Sequence, residues 1–136
     1  CGTCDRCLRA CPSGALEAPH LLNANRCFSY LTIEHKGEIP DELARKLGNR
    51  LYGCDTCQTV CPHNRFARPT DVAEFRPTEE LLHLSKADLE KLTEEEYDRI
   101  FQGSAVRRAK YEGLMRNLRA LYPTPPAEDT PQPPRS

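Results

Sequence analysis

The chain has 136 residues with eight cysteines, twelve prolines, no tryptophan and 38% hydrophobic content, enough for one modest domain and too little for two independent cores. Nineteen basic against twenty acidic residues leave a formal net charge of −1, which excludes a polycation that coats nucleic acid through bulk charge. No apolar run approaches the ~18 residues needed to span a membrane, so a cytoplasmic location without a membrane partner is expected. The first residue is Cys1 rather than methionine, and a piece of a longer or processed chain is expected.

Residues 1–22 carry Cys1, Cys4, Cys7 and Cys11, and Pro12-Ser13-Gly14 predicts a tight turn after them. The run Phe28 to Ile33 is too short for periodicity to separate strand from helix. Pro40 opens a predicted helix that runs to Leu47 and buries Leu43 and Leu47, with Asp41 and Glu42 in its first turn and Gly48-Asn49 as its stop. Cys54, Cys57 and Cys61 follow at once. Between Thr78 and Phe101, Ser85 to Asp88 and Thr93 to Glu96 read as two helix starts, so two short helices are expected. Residues 104–122 predict one amphipathic helix with Tyr111, Leu114, Leu118 and Leu121 along its apolar side. Six prolines in Pro123–Ser136 predict a disordered tail.

The spacing Cys1-x2-Cys4-x2-Cys7-x3-Cys11-Pro12 matches the pattern in which three thiolates wrap one iron–sulfur cubane and the fourth reaches a neighbouring cluster. The second group lacks a third local thiolate, with Val60 standing in the place the repeat would give it, and the isolated Cys27 restores the count. The economical assignment puts Cys1, Cys4, Cys7 and Cys61 around one cluster and Cys11, Cys27, Cys54 and Cys57 around the other. Zinc or disulfides are the competing uses of eight cysteines, but neither accounts for the two Cys-Pro junctions. The expected fold is α+β: a bacterial ferredoxin-like double 4Fe-4S head over residues 1–67, a helical extension over 68–122, and the tail.

Three ordered segments sharpen this reading: Cys1 to Ala15 with its four cysteines, Arg26-Cys27-Phe28-Ser29-Tyr30-Leu31-Thr32-Ile33-Glu34 through Lys36-Gly37, and Gly48 to Asn64 with the second cysteine group. Together with Gly103 to Arg108 and Leu114 to Asn117, they resemble the carboxy-terminal iron–sulfur portion of the epoxyqueuosine reductase family. The resemblance implies two 4Fe-4S clusters that feed electrons to a cobalamin held mainly by an upstream domain. It also implies reduction of epoxyqueuosine to queuosine at the wobble position of a tRNA partner, an external electron donor and a monomeric protein. The fragment alone is expected to be inactive.

The resemblance makes Ser29 and Tyr30 candidates for contact with the cobalamin, and Lys36 a candidate for tRNA phosphate. Arg107, Arg108, Arg116 and Arg119 are candidates for a basic helix face that tracks the tRNA backbone, against the reading of an ordinary solvated face. No catalytic residue is expected in this segment, so Asp5 and Asp55 gain nothing from adjoining cysteines, His63 is read as structural or exposed, and Glu94 to Glu96 as a hydrated surface. A standalone ferredoxin-like electron carrier and the cluster domain of a reductive dehalogenase are the alternatives.

Overall fold

The computed structural model describes residues 1–123. The expected tail, apart from Pro123, lies outside the described residues. Among the described residues eight helices dominate, joined by 3-10 turns and one small hairpin, so the expected α+β head is mostly helical. Helix α1 spans Arg6–Ala10, and a hairpin of β1 (Leu16–Ala18) and β2 (Leu21–Leu22) follows the turn at Gly14, whose φ of +66° suits glycine. The strands are antiparallel, with Leu16 opposite Leu22 and Ala18 opposite Leu21.

Helix α2 (Phe28–Ile33) resolves the ambiguous short run, and its buried side chains are Phe28, Leu31 and Thr32. Helix α3 covers only Asp41–Ala44, because the chain then tightens into turns that bring Lys46 N–H to the Leu43 carbonyl and Leu47 N–H to that of Ala44. Gly48, at φ +63°, turns it away. Leu43 and Leu47 are buried as expected and join Phe28, Leu31 and Ile39 in one apolar cluster.

Helix α4 (Thr56–Thr59) carries Cys57, between Cys54 and Cys61, and packs against α1. Three short helices then replace the two expected: α5 (Glu79–His83), α6 (Lys86–Glu90) and α7 (Glu94–Ile100). The extra one starts at Thr78, whose hydroxyl accepts the Leu81 N–H at 3.3 Å. Ser85 with Asp88, and Thr93 with Glu96, form the reciprocal boxes that their spacing predicts.

The single helix expected over 104–122 is divided. Residues Ala105–Ala109 form a 3-10 turn started by Ser104, and Lys110, with φ of +61°, redirects the backbone into α8 (Lys110–Leu121). Helix α8 is the central pillar. It touches α2 and α3 on one side, α6 and α7 on the other, and adds Leu114 to a second apolar cluster with Leu92, Tyr97 and Phe101. Flanked on both sides, it buries Leu114, Asn117 and Leu118 on one face and also Arg116, which a one-stripe helix would leave in water.

Candidate metal centre

The two cysteine groups repeat one local design. Cys4-Asp5-Arg6-Cys7 starts α1 and Cys54-Asp55-Thr56-Cys57 starts α4, with Asp5 and Asp55 at the caps in nearly the same conformation (φ −122°, ψ 15° and φ −110°, ψ 13°). Cys11 and Cys61 follow the respective helices in extended conformations, as residues before proline must, since the pyrrolidine ring crowds an α-helical predecessor. In this register Leu51 is the counterpart of Cys1. The missing thiolate of the second group therefore falls before the Cys54–Cys57 pair and not at Val60 after it, and Leu51 packs into the second apolar cluster instead. Cys27 stands at the cap of α2 in the same extended conformation as Cys11 and Cys61.

Cys1, Cys4, Cys7 and Cys61 line one cavity of about 170 Å³, together with Arg6, Pro62 and His63. A single zinc ion needs its sulfurs about 2.3 Å from one point. Among the described residues no group of three or more His, Cys, Asp or Glu side chains is placed to hold a single metal ion; these four thiols instead surround a space several times the ~30 Å³ share of a water molecule. The donor set and the room suit a multi-atom thiolate-bound cluster. Cys1 and Cys4 are exposed.

The other cysteines, Cys11, Cys27, Cys54 and Cys57, are all half-buried. Burial pushes the Cys57 thiol up, and the nearby Cys54 and Cys27 raise it further. At Cys11 burial also raises the thiol, but the Leu16 amide, the Ser13 hydroxyl and the amides of Ser13 and Ala15 outweigh it and bring the pKa below the ordinary value. The turn after Cys11 thus favours thiolate, the form that binds iron.

A buried hydrogen-bond system ties the second cysteine group to α2, the helix that Cys27 caps. The Thr32 hydroxyl, on α2, donates to the Phe28 carbonyl at 2.7 Å and accepts the Gly53 N–H at 2.9 Å, pinning the residue before Cys54 to the helix that Cys27 caps. Asn117 of α8 donates from Nδ2 to the carbonyls of Thr32 (2.7 Å) and Leu51 (2.9 Å). Neither residue was a sequence candidate. Asn117 lies three positions after Leu114 on the buried face of α8, and an amide at that spacing is the signal that reveals it.

The candidate contacts outside the cysteines divide. Arg116 is corrected: it is 4% exposed, and its guanidinium donates to the carbonyls of Leu31 (2.8 Å), Gly37 (3.1 Å) and His35 and, through Nε and Nη2, to the Asn117 Oδ1. All five N–H donors are used, so none remains for a phosphate. Lys36 and Arg119 are exposed, and with Arg108 and Lys110 they edge a depression of about 290 Å³ that also contains Glu34, Glu38 and Glu112. Arg108 pairs with Glu34, and Arg107 with Asp98 at 3.0 Å. Tyr30 packs on the first apolar cluster and lies 6.0 Å, centroid to centroid, from the His35 ring, while Ser29 is half-buried.

Comparison with known proteins shows what the chain that carries this site is similar to. Residues 1–64 match the family described as 4Fe-4S double cluster binding domain. Epoxyqueuosine reductase of Burkholderia pseudomallei is 52% identical over 118 residues, which are 87% of this chain and 29% of that protein. The chain matches the carboxy-terminal part of epoxyqueuosine reductases. The fold agrees. The solved epoxyqueuosine reductase of Bacillus subtilis aligns with a TM-score of 0.80 at 41% identity, covering 89% of this chain and 32% of that one. A structure of an epoxyqueuosine reductase with an epoxyqueuosine-modified tRNA-Tyr stem loop aligns at 0.72 and 38% identity, over 89% and 32%. The chain spans about a third of the length of the epoxyqueuosine reductases it matches. The segments that carried the resemblance meet in space: Glu34 pairs with Arg108, the Tyr52 hydroxyl donates to the Ala105 carbonyl at 2.6 Å, and Arg116 with Asn117 ties Leu31, Thr32 and Leu51 together.

Proposed function

We propose that this chain is the electron-transfer portion of a cytoplasmic, cobalamin-dependent epoxyqueuosine reductase that converts epoxyqueuosine to queuosine in tRNA. The observation that carries the reading is the gathering of Cys61 with Cys1, Cys4 and Cys7 around one cavity, since the crossed pattern is the one a double-cluster fold requires. In this reading Cys1, Cys4, Cys7 and Cys61 ligate one 4Fe-4S cluster, and Cys11, Cys27, Cys54 and Cys57 the other, within a head of residues 1–67 followed by the helical extension 68–122.

Bound 4Fe-4S clusters supply reversible one-electron chemistry. The protein's part is to hold the two tetrads close. Cys7 lies on α1 and Cys11 just beyond its end, and the two serve different tetrads, as do Cys57 on α4 and Cys61 beyond that helix. Each helix is thus a short strut between tetrads, and the α1–α4 contact fixes the struts to each other. Ser29 is the better of the two candidates for cobalamin contact, because the Tyr30 ring is engaged in packing. Lys36, Arg108 and Arg119 are the proposed tRNA contacts, with Arg107 at the margin and Arg116 excluded by its burial.

The test uses the full-length protein that contains this segment. Anaerobically prepared protein is expected to carry about eight irons and eight acid-labile sulfides, and Cys61→Ala to lose about half of each together with conversion of epoxyqueuosine-containing tRNA. Zinc in excess of iron, or undiminished product from an iron-depleted protein, would overturn the reading.

A further inference from the structure

The repeat of the two cysteine groups places different side chains at equivalent positions beside the tetrads. Two residues after Cys54 stands Thr56, and two residues after Cys4 stands Arg6; two residues after Cys11 stands Ser13, and two residues after Cys61 stands His63. Arg6 and His63 line the cavity of the exposed tetrad. At the second tetrad the same positions carry hydroxyls, with Thr56 Oγ1 3.5 Å from Cys54 Sγ and Ser13 Oγ 3.6 Å from Cys11 Sγ.

Arginines hold both hydroxyl residues. Arg50 donates from Nη2 to Thr56 Oγ1 at 3.0 Å, from Nη1 to the Leu47 carbonyl at 2.8 Å, and lies over the Phe28 ring. Arg26 donates from Nε to the Ser13 carbonyl at 3.1 Å and pairs with Glu42 at 3.2 Å, and Ser13 is 3% exposed. The direction of the Thr56 bond follows. Its oxygen already accepts from Arg50 and a ligating sulfur carries no proton, so the Thr56 hydrogen is free to point at Cys54 Sγ.

We infer that Thr56, oriented by Arg50, and Ser13, anchored by Arg26, are sulfur-directed hydrogen-bond donors that raise the reduction potential of the second cluster. The inference rests on the ligand assignment proposed above. Reduction adds an electron that is partly borne by the sulfurs, so a donor aimed at sulfur stabilises the reduced form more than the oxidised one. Thr56 and Ser13 are positioning residues for electron transfer, acting through Cys54 and Cys11.

The experiment is a redox titration of the full-length protein, followed by electron paramagnetic resonance, with iron counted in each sample. Thr56→Val keeps the shape and removes the donor. It is expected to keep about eight irons while lowering the equilibrium constant for reduction of one cluster about tenfold, which is about 59 mV for a one-electron couple, with the other cluster unchanged. Ser13→Ala should shift the same cluster, and Thr56→Ser should restore the original value. Unchanged potentials with full iron would overturn the inference. So would loss of iron from Thr56→Val, since the hydroxyl would then be needed for assembly and not for poise. Cys54→Ala separates the underlying reading: if it retains both clusters, the ligand assignment fails before the hydroxyl question arises.

Discussion

The cysteine loops and the helices they rest on are held by different forces. Among the described residues the buried apolar side chains run from Phe28 to Leu47 and from Leu92 to Leu118, and only Ala15 belongs to the cysteine segments 1–27 and 54–66. The loops own no apolar core. Their internal order comes from turn hydrogen bonds, the α1–α4 contact and the pinning of Gly53 by Thr32. The packed part has two apolar clusters bridged by α8 and a buried polar joint in which Arg116 and Asn117 satisfy carbonyls of α2 and the segments after it. In a chain of low apolar content, buried hydrogen bonds supplement hydrophobic burial in the packed part, and the proposed thiolate–metal bonds would take its place in the loops.

Removing the metal should break that comparison most widely. Chelation of iron from the full-length protein is expected to abolish amide protection across residues 1–27 and 54–66 while leaving much of it in α2 and α8, read by hydrogen–deuterium exchange. Equal loss across all segments would show that the packed half has no stability of its own. Arg116→Met probes the opposite side. It removes every donor to the carbonyls of Leu31, His35 and Gly37 and costs about 3–5 kcal/mol, since each buried acceptor left unpaired costs about 1–3 kcal/mol. Chemical denaturation of the helical part measures it, and a cost under ~1 kcal/mol would show that water replaces the guanidinium.

A milder cut falls on the link between the two regions. Asn117→Ala withdraws one amide from Thr32 and Leu51, and about 2–3 kcal/mol is expected, with faster exchange at Gly53 and Cys54 before any change at Cys1 or Cys4. Uniform loosening of both cysteine groups would contradict the assignment of this joint to the second tetrad alone.

The gathering of Cys1, Cys4, Cys7 and Cys61 around one cavity was legible because cysteine spacing is local: two-residue gaps, Cys-Pro junctions and the odd Cys27 are all visible along the chain. The caps at Ser85 and Thr93 were legible for the same reason, their partners lying three residues away. Arg116 was misread. An arginine off the leucine stripe reads as solvated, and only the packing of α8 between two helical groups encloses it. Thr32 and Arg50 escaped notice because their partners, Gly53 and Thr56, become relevant only once the chain has folded back on itself. The division at Lys110 was equally hidden, since an amphipathic pattern continues across a single residue in the left-handed region.

The smallest effect is expected at the caps of the extension, where the energy is local and exposed. Thr93 accepts the Glu96 N–H at 3.2 Å, and the Glu96 carboxylate accepts the Thr93 N–H at 2.9 Å, starting the helix that brings Tyr97 and Phe101 to Leu114. Thr93→Ala should cost about 1 kcal/mol, read from amide exchange at Tyr97 and Phe101, with residues 1–27 unaffected. The Thr93 N–H, then its hydroxyl, hold the Glu96 carboxyl below the ordinary glutamate range. A carboxyl with a depressed folded value contributes above the unfolded value and ceases to contribute as pH falls through the folded one, because the unfolded chain takes up its proton first. The difference between the parent and Thr93→Ala should therefore be full near neutrality and narrow on acidification below about pH 4. A gap that stayed constant down to acid would place the whole effect on the hydroxyl-to-backbone bond and leave the Glu96 carboxylate to the residue-93 N–H alone.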